Sequence, residues 1–346
     1  MKGTWLVTGG AGFIGSNFVR LALAEGWCER VVVLDALTYA GNLENLLPFL
    51  GSDDRLVFER GDIAEVEDVR RVFDAHRPAV VFHFAAESHV DRSIYEPAVF
   101  VRTNVTGTQL LLNAARECGV ERFVHVSTDE VYGALQLDSP EKFHEGRPFD
   151  PHSPYAASKA GADLLVKAAF HTHHQNVVIT NCSNNYGPYQ FPEKLIPLMI
   201  LKALAGESLP VYGDGLYVRD WIHVEDHCRG VLRCAEAGVA GETYCIGSDN
   251  EQPNLAVVRK ILQLTGRDES LVHYVKDRPG HDRRYAIDAT RIRTQLGWQP
   301  RHSWEQGLAA TVQWYRDNTE WMERLRNGEA RAFFERHYAE RSGAGK

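Results

Sequence analysis

The chain reads as an α/β protein built on a doubly wound parallel sheet, with a smaller mixed α/β region appended. Three observations predict this. Short apolar runs alternate with helix-period stretches through the first half: residues 4–7, 31–34, 56–59 and 79–85 alternate with patterns such as Val66, Val69, Val72 and Phe73. The first run breaks into Thr8-Gly9-Gly10-Ala11-Gly12-Phe13-Ile14-Gly15-Ser16, which leads into an amphipathic stretch. The second ends in Asp35, 20 residues beyond Gly15 (35 − 15). Strand, glycine turn, helix and a carboxylate at that spacing form the fingerprint of a Rossmann-type dinucleotide domain.

The turn can be framed as G-x-G-x-x-G from Gly10 or as G-x-x-G-x-x-G from Gly9, with Gly12 and Gly15 common to both. Either frame lets backbone approach a pyrophosphate at a helix N-terminus. Asp35 can accept a hydrogen bond from the adenosine ribose and repel a 2′-phosphate, so NAD is expected over NADP. Gly61-Asp62-Ile63 follows the third strand and reads equally as an adenine-level contact or a simple turn. The fourth run closes on Phe84-Ala85-Ala86-Glu87-Ser88-His89, small enough for a flat cofactor to lie close.

The chemistry is concentrated in Val124-His125-Val126-Ser127-Thr128-Asp129-Glu130-Val131-Tyr132-Gly133, an apolar strand ending in a hydroxyl and two carboxylates. Open α/β sheets present such groups at the carboxyl ends of their strands. Farther on, Tyr155 and Lys159 stand four apart in a helical pattern over residues 154–170, so they share a face. An ammonium beside a phenol favours phenolate, and such a tyrosine takes a proton from an alcohol. Between these motifs, residues 135–154 carry Pro140, Pro148, Pro151 and Pro154 and form no single helix or strand; a lid or specificity loop is the expectation. His171, His173 and His174 read as a solvated helix end rather than metal ligands, and no metal is expected. Arg219 and Arg278 are candidates for a diphosphate, because a guanidinium fork matches phosphate oxygens.

Composition removes other classes. The net charge is −8 with scattered Lys and Arg, giving no basic stripe for nucleic acid. No apolar run approaches the roughly 20 residues of a membrane span, and residues 1–7 run into the glycine turn rather than a cleavage site. The six cysteines are dispersed, without Cys-x-x-Cys, and fit a reduced cytoplasmic protein.

In combination, Leu37-Thr38-Tyr39-Ala40-Gly41-Asn42, residues 85–93 and 127–133, Tyr155 to Lys159, residues 182–190 and Asp277-Arg278-Pro279-Gly280-His281 resemble the extended short-chain dehydrogenase/reductase family, and within it the nucleotide-sugar 4,6-dehydratases. The resemblance implies residues 1–185 as a NAD-binding domain with later segments returning to it, 186–330 as a nucleotide-sugar region and 331–346 as a tail. It implies Gly9, Gly12, Phe13, Ile14, Gly15, Asp35, Leu37, Thr38, Asp62, Ile63, Phe84, Ala85, Ala86, Ser88, Thr103, Tyr155, Lys159 and Asn185 as cofactor contacts. Ser88, Thr128, Asn184, Lys194, Leu195, Pro210, Tyr212, Arg219, Asn254, Asp277, Arg278 and His281 are implied substrate contacts. Thr128, Asp129, Glu130, Tyr155 and Lys159 are implied catalytic, with Asp129 as proton donor and Glu130 as acceptor; Asn181 stands where many relatives carry Arg. The implied substrate is dTDP-glucose, with a UDP- or GDP-linked hexose as the alternative, and the implied assembly a homodimer through helices near 104–118 and 155–170. A nucleotide-sugar 4-epimerase fits less well because it does not need the Asp129-Glu130 pair, and a non-catalytic NAD-binding module because it has no reason to keep Thr128, Tyr155 and Lys159 together.

Overall fold

The computed structural model describes residues 1–277 and 281–327, with side chains to residue 324. Seven parallel strands form the main sheet: β1 (Thr4–Thr8), β2 (Arg30–Asp35), β3 (Leu56–Arg60), β4 (Val80–His83), β5 (Arg122–Thr128), β6 (Val177–Cys182) and β10 (Thr243–Ile246), in the order β10-β6-β5-β4-β1-β2-β3. The winding reverses between β1 and β4, opening a crevice at the strands' carboxyl ends. The edge strand β10 comes from far along the chain and pairs parallel with β6, Thr243 opposite Ile179.

Side-chain alternation builds the two layers. In β2, Val31 and Val33 join Phe18, Phe82, Val124 and Tyr244 on one face, while Val32 and Leu34 join Ile63, Phe73, Leu111 and Phe123 on the other. Helices α1 (Phe13–Ala24) and α8 (Val224–Ala237) supply the first layer. Helices α2 (Val66–His76), α5 (Thr108–Glu117) and α6 (Pro154–His173) supply the second. Burying strands on both faces explains why the sequence shows near-continuous apolar runs there.

Two short helices, α3 (Val90–Tyr95) and α4 (Pro97–Phe100), lead into a π-helical stretch over Val101–Gly107 before α5. The expected helix from residue 104 to 118 is therefore wider-wound over its first turn.

The smaller region has its own core, in which Tyr186, Ile196, Ile200, Trp221, Ile261, Trp304, Leu308 and Val312 meet. Around it lie β7 (Asn184–Tyr186), α7 (Leu195–Ala205), β8 (Leu209–Tyr212), β9 (Val218–His223), β11 (Glu251–Pro253), α9 (Asn254–Thr265) and β12 (Val272–Val275), whereas Ile292 and Leu296 of α10 (Thr290–Leu296) pack into the first layer of the main sheet beside α8. The strands form a β11-β9-β7 sheet and a β12-β8 pair. The later chain adds two helices, α11 (Trp304–Asp317) and α12 (Thr319–Asn327), interrupted at Asn318. Trp321 donates from α12 to Asn45 Oδ1 at 3.0 Å, tying the later chain to the first layer. Residues 331–346, expected as a tail, lie outside the described residues.

The 135–154 segment departs from the lid expectation. Leu135 bridges Arg284 and Phe143 bridges Ile287, and both are buried with Tyr132, Cys245 and Ile287. Its apolar residues anchor it against 284–288, and none of its residues lines the cleft described next. It is a strap behind the site.

Candidate active site

A cleft of about 500 Å³ runs along the carboxyl ends of β1, β2, β4 and β5. At one end is the glycine turn. Gly9 has φ +69°, and a Cβ there would lie 2.6 Å from the Ala85 nitrogen, so only glycine lets the turn nestle against the end of β4. Gly12 caps α1 with no side-chain hydrogen bond, and the first turn carries no acid. Its amides therefore face the cleft free for an anion. Asp35 is buried at the end of β2, where it accepts from the Ala11 nitrogen at 3.0 Å and the Leu37 nitrogen at 2.8 Å. Burial pushes its carboxyl up, and these two donors act against that shift. A turn with no Cβ at Gly9, Gly10 and Gly12, an uncapped helix start and a buried carboxylate 20 residues beyond Gly15 (35 − 15) fit a dinucleotide.

At the other end β5 delivers Thr128, which caps the 3₁₀ turn Asp129–Tyr132 by accepting from the Glu130 nitrogen at 3.3 Å. The same hydroxyl donates to Asp129 Oδ1 at 3.3 Å and acts on the Tyr155 phenol, favouring its ionised form. Asp129 is 1% exposed, and its Oδ2 has no protein partner. Burial, then the charges of Glu130 and Asp220, push its carboxyl far above the usual range; Arg219 opposes them. Burial and like charge of this kind favour the protonated form of an acid.

Ser153 and Pro154 start α6 one step before Tyr155: Ser153 Oγ accepts from the Ala156 nitrogen at 3.0 Å, and Pro154 suits the first turn. That start turns Tyr155 into the cleft and Lys159 in behind it. Lys159 Nζ donates to the Val126 carbonyl at 2.9 Å. The expected phenolate is not what the protein alone favours. Burial, then the charge of Glu130, raise the Tyr155 phenol well above its ordinary value, while Thr128 acts the other way. Burial lowers the Lys159 ammonium, and Asp163 and Cys182 counter it.

Of the expected cofactor contacts, all line this cleft except Leu37, whose amide instead holds Asp35 and whose φ is +53°. All five expected catalytic residues line it, as do Ser88, Asn184, Lys194 and Arg219. Lys194 Nζ reaches the Ser88 carbonyl at 3.1 Å, and Asn185 Oδ1 is held by His227 Nδ1 at 2.9 Å. Arg219 is buried, its guanidinium 4.2 Å from the Tyr285 ring centroid and bonded to the carbonyls of Val218 and Asp282.

Leu195, Pro210, Tyr212, Asn254, Asp277 and His281 do not line the cleft. Three of them gather nearby: His281 stacks on Tyr217 at 3.7 Å, meets Tyr212 edge-on and bonds Asp277 Oδ1 at 2.8 Å. The segment running from His281 to Tyr285 connects this group to Arg219 through the Asp282 carbonyl. Arg278 falls outside the described residues. Asn181 is buried and donates to the Thr128 carbonyl and to Asp163 Oδ2, both at 3.1 Å, so it braces the end of β5 from behind. Glu87, Cys182, Ser183, Gln190, Phe191, Glu193 and Tyr285 also line the cleft. Nothing in the sequence marks Tyr285, which arrives there on the strand-like stretch paired with the strap.

Residues 6–311 match the family model described as GDP-mannose 4,6 dehydratase. The chain is 52% identical to the dTDP-glucose 4,6-dehydratase of Xanthomonas campestris pv. campestris (strain B100), covering 95% of this chain and 97% of that protein. The dTDP-glucose 4,6-dehydratase DesIV of Streptomyces venezuelae, solved with NAD bound, superposes with a TM-score of 0.89 at 50% identity, over 93% of this chain and 99% of that one. The UDP-glucose 4-epimerase of Thermotoga maritima superposes at 0.84 with 32% identity, over 91% and 99%.

Proposed function

The chain belongs to the dTDP-glucose 4,6-dehydratase family of the extended short-chain dehydrogenase/reductases, and from that membership and the cleft we propose that it converts dTDP-glucose to dTDP-4-keto-6-deoxyglucose and water as a NAD-dependent hydro-lyase. The observation that carries the reading is that Asp129 and Glu130, at the end of β5, share one cleft with Tyr155, Lys159 and the glycine turn.

NAD, when bound, supplies the hydride acceptor for C4 and the hydride donor for C6, and its positive ring favours the phenolate that the protein alone disfavours. Gly9, Gly12, Phe13, Ile14 and Gly15 hold its pyrophosphate, Asp35 its ribose, and Tyr155, Lys159 and Asn185 its reactive end. Tyr155 takes the proton of the sugar 4-hydroxyl, with Thr128 sharing its hydrogen bond. The resulting 4-ketone acidifies C5–H, and Glu130 removes that proton. Asp129, held protonated by burial and by Glu130, gives its proton to the departing 6-hydroxyl. Arg219 holds the diphosphate, and Lys194 and the Tyr212–Asp277–His281 group contact the rest of the nucleotide sugar.

A homodimer through the faces of α5 and α6 agrees with large apolar groups left exposed beside them, Tyr95 at 84%, Val101 at 52% and Leu164 at 56%. No described helix is long and apolar enough to cross a membrane. A cytoplasmic location agrees with six cysteines that form no disulfide.

The test is incubation with dTDP-, UDP- and GDP-hexoses, following the alkali-induced absorbance of a 4-keto-6-deoxy product. Turnover of dTDP-glucose supports the reading; 4-epimerisation without loss of water, or no reaction with any of the three, overturns it.

A further inference from the structure

We propose that Asp163 is the counter-ion of Lys159, a positioning residue that acts through that ammonium on Tyr155. The proposal rests on the reaction above. Tyr155, Lys159 and Asp163 follow one another at four-residue steps along α6, so they form a single column on its sheet-facing side. Both charged members are inside the protein, Lys159 at 3% and Asp163 at 0% exposure. A buried ammonium and a buried carboxylate are each costly alone and tolerable together.

The neighbours supply no other fixed negative charge on that side. Facing the column from β5 is His125, whose Nε2 lies 3.2 Å from Asp163 Oδ1. His83 from β4 packs on it, with ring centroids 5.1 Å apart. Burial and the Lys159 charge drive both imidazoles below their ordinary value, His125 to about 4, so both are neutral at working pH. Cys182 from β6 is pushed up to about 12 by burial and is a thiol. Asp129 and Glu130 stand at the end of β5 on the Tyr155 side, where burial and Glu130 push the Asp129 carboxyl up.

Asp163 is also rigidly held. Its Oδ2 accepts from Asn181 Nδ2, which donates at the same 3.1 Å to the Thr128 carbonyl. Asn181 therefore links the counter-ion to the strand end that carries Thr128.

Two measurements on the full-length, NAD-loaded protein test this. In Asp163→Asn, the pH midpoint of cofactor reduction in a single turnover with dTDP-glucose should rise by about one unit, with a roughly tenfold slower step at neutral pH, since one pKa unit is tenfold in proton occupancy. A purely structural role would slow the step and leave the midpoint in place, which overturns the proposal. The second measurement needs neither turnover nor a stable Asp163→Asn chain. Lys159→Met strands a buried carboxylate, so Lys159→Met/Asp163→Asn should melt above Lys159→Met alone at pH 8. A double variant melting at or below Lys159→Met overturns the pairing whatever the substrate proves to be.

Discussion

The Thr128 hydroxyl donates to Asp129 Oδ1 at 3.3 Å and acts on the Tyr155 phenol as well, favouring its ionised form. One small side chain thus bears on the group that takes the first proton and the group that gives the last. Thr128→Val keeps the shape and removes both influences. Single-turnover kinetics should show cofactor reduction and water loss both slowed, each by about 10- to 100-fold; slowing of one step alone would uncouple the two roles.

Glu130→Gln should separate oxidation from elimination. The variant is expected to reduce bound NAD on adding dTDP-glucose and then stall, with product formation down by about 10²- to 10⁴-fold. Tyr155→Phe should block reduction itself. Unimpaired turnover by Glu130→Gln would remove it as the base.

Asp129 sits where an ionised carboxylate is disfavoured, and its Oδ2 finds no protein donor. Asp129→Asn should therefore raise stability by about 1–2 kcal/mol, a few degrees in melting temperature, while abolishing proton donation. Calorimetry beside a turnover assay checks both halves of the exchange.

Asp220, fully buried in β9, has its carboxyl raised to about 7, chiefly by burial. Its unfolded value is near 3.8, so between these pH values the unfolded chain has lost a proton that the folded chain keeps. Stability should fall as pH rises through that window, by as much as about 4 kcal/mol, and level off above it. Urea unfolding from pH 4 to 8 should show this slope diminished in Asp220→Asn.

Asp35 sets the choice of dinucleotide. Asp35→Asn removes the repulsion of a 2′-phosphate while keeping an acceptor, so the ratio of NAD to NADP affinity should fall by about tenfold or more, read by fluorescence titration of cofactor-free protein.

The cofactor half of the site was readable because its groups are unusual for their positions. A glycine turn after an apolar strand, an acid ending the next strand, and two carboxylates closing a third are poor choices for packing and sensible ones for chemistry. Tyr155 and Lys159 were readable from helical spacing. Their electrostatics were not: the ammonium spends a hydrogen bond on Val126, and Glu130 faces the phenol, relationships that exist only once β5 and α6 are side by side. Tyr285 was hidden for a similar reason, since it depends on the strap pairing with residues 144 and 149 positions later (287 − 143 and 284 − 135). The strap's prolines suggested a lid or specificity loop; its buried Leu135 and Phe143 settle it against the protein instead.

The late arrival of β10 has a practical consequence for anyone dividing the molecule. A fragment ending near residue 185 would carry six strands and leave β6, which β10 covers in the whole chain, as a bare edge open to pairing with other chains. Aggregation is the natural fate of such a piece. Grafting a foreign sugar-recognition region onto this dinucleotide scaffold must therefore carry residues 243–246 along, because the scaffold borrows its last strand from the part being exchanged.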